Sequence, residues 1–323
     1  MRSVLILGGY GAVGRQAAAS LIKLRPGLRV SLAGRHPETA ALVPGTSTVM
    51  VDANEPSSLH CALDGVEAVL NCIETRNAEV ARSVLQRGIG YVDVSASHPT
   101  HLEIEQLNGL AVGRGARAVL SVGLVPGASN LLAAMVAEGS DRKHLDIGVL
   151  LGLGGGHGPA ALGWTLDGIG RLHGSWAMGF PEPVGFRTVH AFPFSDQYSL
   201  PKTLGVEQVR TGLCLSSRLL TRCLGALAEA GAARPSQNRA VRMILSRLLS
   251  VLKVGDDRFV VSAMSSAAQA TLAGRDQSKV TGDIAAQVVH RLPTFPPGVN
   301  HLEQLVEPHA FLAELSSAVL THR

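Results

Sequence analysis

The stretch Gly8-Gly9-Tyr10-Gly11-Ala12-Val13-Gly14 constrains this chain more than any other. It follows Val4–Leu7, a wholly apolar run that fits a strand buried on both faces. It leads into Arg15–Leu24, an Ala-rich helical stretch, and a second apolar run, Val30–Ala33, returns at the distance a crossover needs. Strand, helix and second strand in register make a βαβ unit whose glycines stand where a dinucleotide requires them. Gly9 is expected to permit the tight turn, Gly11 to let the backbone approach a pyrophosphate, and Gly14 to bring helix against strand. Tyr10, Ala12 and Val13 complete the loop, and the N–H groups at the helix start face the phosphate charge.

The alternation continues. Apolar strands are expected at Thr48–Val51, Ala68–Asn71, Tyr91–Val94 and Ala118–Val122, with helices at Ser57–Leu63, Glu79–Arg87 and Leu102–Gly113 between them. Six nearly continuous apolar strands separated by helices predict a Rossmann-type, doubly wound parallel sheet covered on both faces. Ligands of such sheets bind outside the carboxyl ends of the strands. The residues there are Arg35, Asp52, Asn71, Cys72, Ser95 and Gly123, which with the loop residues form the expected cofactor site.

Arg35 bears on the type of dinucleotide. An NAD site usually carries Asp or Glu at the end of the second strand, to accept hydrogen bonds from the ribose hydroxyls. Here that end reads Ala33-Gly34-Arg35-His36, with no acid before Glu38. A guanidinium without a carboxylate suits a 2′-phosphate, so NADPH is expected over NADH. Asp52, at the end of the third strand, is placed to hold the adenine amino group or to start the turn Asn54-Glu55-Pro56.

After Gly123 the texture changes. A helix at Asn130–Glu138 leads to strands at Leu145–Leu151, Arg187–Phe192, Val209–Leu215 and Arg258–Ala263, and to helices at Ala160–Leu172, Arg218–Ala230 and Arg239–Leu252. This predicts a second, α+β domain with a mixed, largely antiparallel sheet. The last forty residues hold a helix at Ser278–Leu292, a proline-rich turn and a final helix opening with Pro308. That helix is expected to carry Phe311, Leu312, Leu315 and Val319 as its apolar stripe.

Composition removes several function classes. With 46% hydrophobic and 17% charged residues, the 323-residue chain has a sizeable core. Its 29 basic residues are scattered over a formal charge of +4 without interleaved aromatics, which argues against nucleic-acid binding. The opening apolar run is too short for a signal peptide, and no 18-residue apolar stretch is present to span a membrane. Cys61, Cys72, Cys214 and Cys223 show no CxxC spacing, and reduced thiols in the cytoplasm are expected. No metal site is expected: there is no HExxH, and Pro99 is expected to interrupt the pair His98 and His101.

Several stretches together resemble the saccharopine dehydrogenase/reductase-like family. They are Gly8–Gly14, Leu32–Arg35, Val51–Leu59, Val69–Glu74, Tyr91–Ser97 and Val122–Ala133, with Thr281–Ala286 and Pro296–Pro308 near the end. The resemblance implies a split nucleotide domain, 1–125 with 286–323, and a substrate and homodimer domain over 126–285. It also implies reduction of a C=N bond, or oxidation of C–N, with NAD(P)H, on a small molecule; a C=O acceptor is the related possibility. Hydride transfer to a neutral acceptor needs a proton donor, and Asp93, His157 and Asp167 are the catalytic candidates, Asp93 because burial in an apolar strand would raise its pKa. Tyr198 and Lys202 match the YxxxK spacing of short-chain dehydrogenases. Pro201 between them argues against a continuous helix, and they lie far beyond the sixth strand. A non-catalytic NADP-binding sensor is the rival reading.

Overall fold

The computed structural model describes residues 1–323 apart from 40, 42, 153, 155–173 and 230–255. Ser3–Leu7 (β1) is buried at every position, as a strand covered on both faces must be. It is followed by Ala12–Leu24 (α1), Arg29–Gly34 (β2), Thr46–Met50 (β3) and Pro56–Ala62 (α2). Ala68–Asn71 (β4), Asn77–Gln86 (α3) and Gly90–Asp93 (β5) come next, both strands fully buried. Where one helix was expected over Leu102–Gly113 there are two, His98–Glu105 (α4) and Asn108–Gly113 (α5), before Arg117–Leu120 (β6). Pro99 does not interrupt the first of these. It occupies the opening turn, where a missing N–H costs nothing, and Ser97 caps the helix by accepting from the Thr100 N–H.

The chain then runs through Ser129–Ala137 (α6), His144–Leu151 (β7), Ser175–Gly179 (β8) and Phe186–Ala191 (β9). Asp196–Leu204 (α7), Gln208–Leu215 (β10), Arg218–Glu229 (α8), Arg258–Met264 (β11) and Gln269–Arg275 (β12) follow. Helix α7 contains Pro201, so the expectation of a break there is corrected. The helix packs on β10 and α6 with Ser199 and Leu200 buried, and that packing outweighs one lost backbone hydrogen bond. The last elements are Gln277–Arg291 (α9), Gly298–His301 (β13), Pro308–Ala313 (α10) and Ala318–His322 (β14).

Two compact units result: Met1–Gly127 with Ser278–Glu307, and Ala128–Gln277 with Pro308–Arg323. In the first, seven strands form a sheet in the order β13-β6-β5-β4-β1-β2-β3, every pair parallel. The strand order reverses between β1 and β4, the switch point at which such sheets bind ligands. In the second, the order is β14-β12-β11-β7-β10-β9-β8, antiparallel except between β7 and β10. The α/β class and the two kinds of sheet are therefore as the sequence predicts.

The C-terminal forty residues divide differently from the expectation. Strand β13 adds a seventh strand to the parallel sheet beside β6, whereas β14 pairs with β12 in the other sheet. The nucleotide unit thus does not run to residue 323. The expected single stripe from Phe311 to Val319 is split: α10 ends at Ala313, Phe311, Leu312 and Leu315 are buried, and Val319 is exposed on an edge strand. The expected helices at Ala160–Leu172 and Arg239–Leu252 lie outside the described residues.

Candidate functional site

At the carboxyl edge of the first unit, the loop from β1 to α1 is packed too tightly for side chains. Gly8 takes the left-handed turn (φ +73°), so the turn falls to it and not to Gly9. A Cβ on Gly9 would lie 2.8 Å from the Leu32 Cα, and one on Gly14 would lie 2.6 Å from the Gly8 carbonyl oxygen. These contacts press loop, second strand and helix together. Gly11, the exposed N-cap of α1, has extended backbone and supplies no side-chain cap, and the first turn holds no acid. Ala12, Val13 and Gly14 therefore start the helix with orphan N–H groups, as a pyrophosphate site requires. The cradle fits a dinucleotide.

On the β2–β3 side the Tyr10 ring lies flat where a Gly34 Cβ would stand, 2.7 Å from ring carbons, and its hydroxyl donates to the Val49 carbonyl at 2.9 Å. Tyr10 thus covers the ends of β2 and β3. Arg35 follows directly, exposed. The nearby acid, Glu38, is paired with His36 at 3.2 Å. Asp52 starts a turn, its Oδ1 accepting from the backbone and side-chain amides of Asn54 at 2.9 and 3.0 Å. Both readings offered for Asp52 are compatible with that, since one oxygen is committed to the turn.

On the β4–β5 side the site is built from side chains. Asp93 ends β5 wholly buried, and its carboxylate accepts four hydrogen bonds. They come from Asn71 Nδ2 and Asn77 Nδ2 at 3.2 Å each, from the Tyr91 hydroxyl at 2.5 Å and from the Ser95 N–H at 2.7 Å. Every partner donates, so the Asp93 carboxyl oxygens act as acceptors. Burial and the Asp93 charge push the Tyr91 hydroxyl well above its ordinary value, so Tyr91 stays a donor. They likewise push the Cys72 thiol up, which leaves it neutral.

A second layer ties this hub to distant segments. Ser95 presents its carbonyl to His101 Nε2 at 3.0 Å, which fixes the proton there and leaves Nδ1 as a buried acceptor without a partner. Burial pushes the His101 pKa down to about 4. His101 meets His301 edge to face, at 5.7 Å between ring centroids. His301, from β13, bonds Ser121 Oγ through Nδ1 at 2.8 Å and Glu105 through Nε2 at 3.1 Å. Ser121 is fully buried in a left-handed conformation (φ +57°), strain that the surrounding contacts hold in place. Four buried polar atoms of this edge, Asn71 Oδ1, Asn77 Oδ1, Ser95 Oγ and His101 Nδ1, have no hydrogen-bond partner among the described residues.

Gly123 is buried, and a Cβ there would approach Pro126 and Thr281 at 3.3 Å. Of the catalytic candidates, only Asp93 lies among the described residues; His157 and Asp167 fall outside them. Sequence reasoning passed over Asn77, Tyr91, His101, Ser121 and His301. Tyr91 had a local signal, since residues i and i+2 of a strand share a face and Tyr91 must point with Asp93. His301 had none: its partner Ser121 is 180 residues away. Among the described residues no three His, Cys, Asp or Glu side chains cluster as metal ligands, and no helix is long and apolar enough to cross a membrane.

Strand order, switch point and glycine cradle define a dinucleotide-binding domain. Residues 4–112 match the family model for the saccharopine dehydrogenase NADP binding domain, about a third of the chain. The match is to the nucleotide-binding unit, whose likeness to that domain supports an NAD(P)-dependent oxidoreductase. No curated protein matches the chain in sequence. Among solved structures, apo saccharopine dehydrogenase (L-Glu forming) from Saccharomyces cerevisiae shares the fold, with a TM-score of 0.70 at 15% identity over 100% of this chain and 99% of that one. Amine dehydrogenase from Mycobacterium smegmatis aligns at a TM-score of 0.49 and 11% identity, covering 95% of this chain and 96% of that one.

Proposed function

We propose that the protein is an NADPH-dependent reductase acting on the C=N bond, or a related C=O bond, of a small molecule. The observation that carries the cofactor choice is Arg35: an exposed guanidinium directly after β2, at a strand end without a carboxylate of its own. A 2′-phosphate placed there receives charge-assisted hydrogen bonds, whereas a bare ribose finds no acid to accept from its hydroxyls. The family resemblance and the shared fold of an enzyme named for saccharopine support a C=N substrate. The bound cofactor supplies a hydride. The chain's own part is to cradle the pyrophosphate at α1, to cover the ends of β2 and β3 with Tyr10, and to hold the β4–β5 edge in shape through Asp93.

Titrating purified protein with NADPH and NADH, before and after Arg35→Ala, tests the cofactor choice. Loss of the charged pair is expected to weaken NADPH by about 1.5–3 kcal/mol, roughly 10- to 150-fold, and to leave NADH nearly unchanged. Equal weakening of both would remove the 2′-phosphate assignment. Oxidation of NADPH across a panel of imines and ketones tests the chemistry. Tight binding without turnover on any of them would favour the sensor reading.

A further inference from the structure

A neutral C=N or C=O acceptor needs a proton donor, and the Asp93 carboxyl is already met by four donors. The other ionisable groups of this edge are also committed. His301 uses both ring nitrogens, and His101 is buried with its proton held by the Ser95 carbonyl. Asp52 stands at the end of β3, on the far side of the switch point. Among the described residues directly after β4, one carboxyl remains.

Glu74 lies three residues beyond the end of β4, at the switch point itself. Its segment leans on the cradle: a Cβ on Gly8 would meet the Cys72 carbonyl oxygen at 2.8 Å and Ile73 Cγ2 at 2.9 Å. The Asn71 side chain donates to the Ile73 carbonyl at 3.2 Å and so holds the turn that presents Glu74. Glu74 is open to solvent, and among the described residues no hydrogen bond or ion pair engages its carboxyl.

We propose that Glu74 is the catalytic acid of this site, delivering a proton to the substrate atom that becomes an amine or alcohol. The inference rests on the reductase reading above. The step balances as follows. The substrate carbon accepts a hydride from the reduced nicotinamide, the π pair of the C=N or C=O bond moves to nitrogen or oxygen, and that atom takes the Glu74 proton. A carboxylate is left, which water reprotonates, and the cofactor leaves oxidised.

The electrostatics agree with that role. Crowding by surrounding protein and the charge of Asp93 push the Glu74 pKa up to about 7. The titratable groups around this edge are Asp93 and Tyr91 on β5 and Cys72 after β4; Arg76 on the same segment is turned to Glu79 at 3.4 Å and to the Asn54 carbonyl at 3.0 Å. The negative charge of Asp93 favours the protonated form.

The test has two arms. In protein labelled with ¹³C at the glutamate carboxyl carbons, the resonance lost in Glu74→Gln should titrate near neutrality with NADP⁺ bound, and an ordinary carboxylate midpoint would overturn the proposal. In turnover, Glu74→Gln should slow NADPH reduction of 3,4-dihydroisoquinoline by roughly 100-fold or more. It should leave reduction of the permanently charged N-methyl iminium of that compound within about threefold, since that acceptor takes up no proton. An equal fall on both acceptors, or none on the neutral one, would also overturn it. A wild-type protein that binds NADPH and reduces neither acceptor would instead remove the reductase reading, and the proposal with it. Binding of NADPH by Glu74→Gln at the wild-type affinity shows that the variant is folded.

Discussion

The two halves of the parallel sheet's carboxyl edge are built on different principles. From β1 to β3 the site is backbone: Gly8, Gly9 and Gly14 allow close approach, an uncapped helix start offers N–H groups, and Arg35 stands in solvent. Its parts span residues 8 to 35. From β4 to β13 the site is side chain: Asn71, Asn77, Tyr91, Asp93, Ser95, His101, Ser121 and His301 meet in a buried network whose parts span residues 71 to 301. The first half suits a constant feature of a ligand, its phosphates. The second holds orphan polar atoms in a low-dielectric setting, where small changes have large consequences.

The sharpest way to break this contrast is on the backbone side. Gly14→Ala places a Cβ 2.6 Å from the Gly8 carbonyl oxygen, which neither backbone can yield to without opening the cradle. NADPH binding should disappear in calorimetry, with stability lowered by roughly 1–3 kcal/mol or more. Retained binding would mean that the loop does not seat the pyrophosphate.

On the side-chain side the largest effect belongs to the hub. Asp93→Asn keeps the shape but sets an NH₂ against the Asn71 and Asn77 amide NH₂ groups and the Tyr91 hydroxyl. Urea denaturation should show a loss of about 3 kcal/mol, while the glycine loop still binds NADPH, weakened far less than by Gly14→Ala. If Asp93→Asn abolished NADPH binding at wild-type stability, the two halves would not be separable as described.

The smallest effect is a pH dependence. His101 is neutral in the fold, its pKa pushed down to about 4 by burial, whereas an unfolded histidine titrates near 6.5. Between those values the unfolded chain binds more protons than the folded one, so unfolding free energy rises with pH through this window and is full above about 6.5. The loss on acidification should amount to roughly 2–3 kcal/mol by pH 4, and His101→Gln should flatten that limb of the stability curve. An unchanged slope in the variant would assign the acid sensitivity to other groups.

Much of the fold was legible because its determinants are local. Val4–Leu7 is apolar at every position, the glycines follow it, and the helix and strand after them have the right period, so the βαβ unit can be read from about thirty residues. The expected ends of the middle strands fell within a residue or two of β7, β9, β10 and β11. Strands β8, β12, β13 and β14 were not anticipated. Gly298–His301 has no alternation, and Ala318–His322 continued an apolar spacing that fits a helix equally well; pairing with β6 and β12 decided both. Pro201 misled in the same way, since burial of α7 against β10 overrides a local penalty.

What the sequence determined by itself is the cofactor half of the site: a dinucleotide cradle and the cation at Arg35, both consequences of neighbouring residues and backbone geometry. What tertiary structure decided is the state of the ionisable groups. Asp93 sits in an apolar strand, and the four donors around it come from β4, α3, β5 and the turn after β5. Glu74 reads as an ordinary surface carboxylate until the charge of Asp93 and the crowding around it are known. Protonation depends on which groups are brought within a few ångströms, and those partners come from strands and helices that only the folded chain assembles.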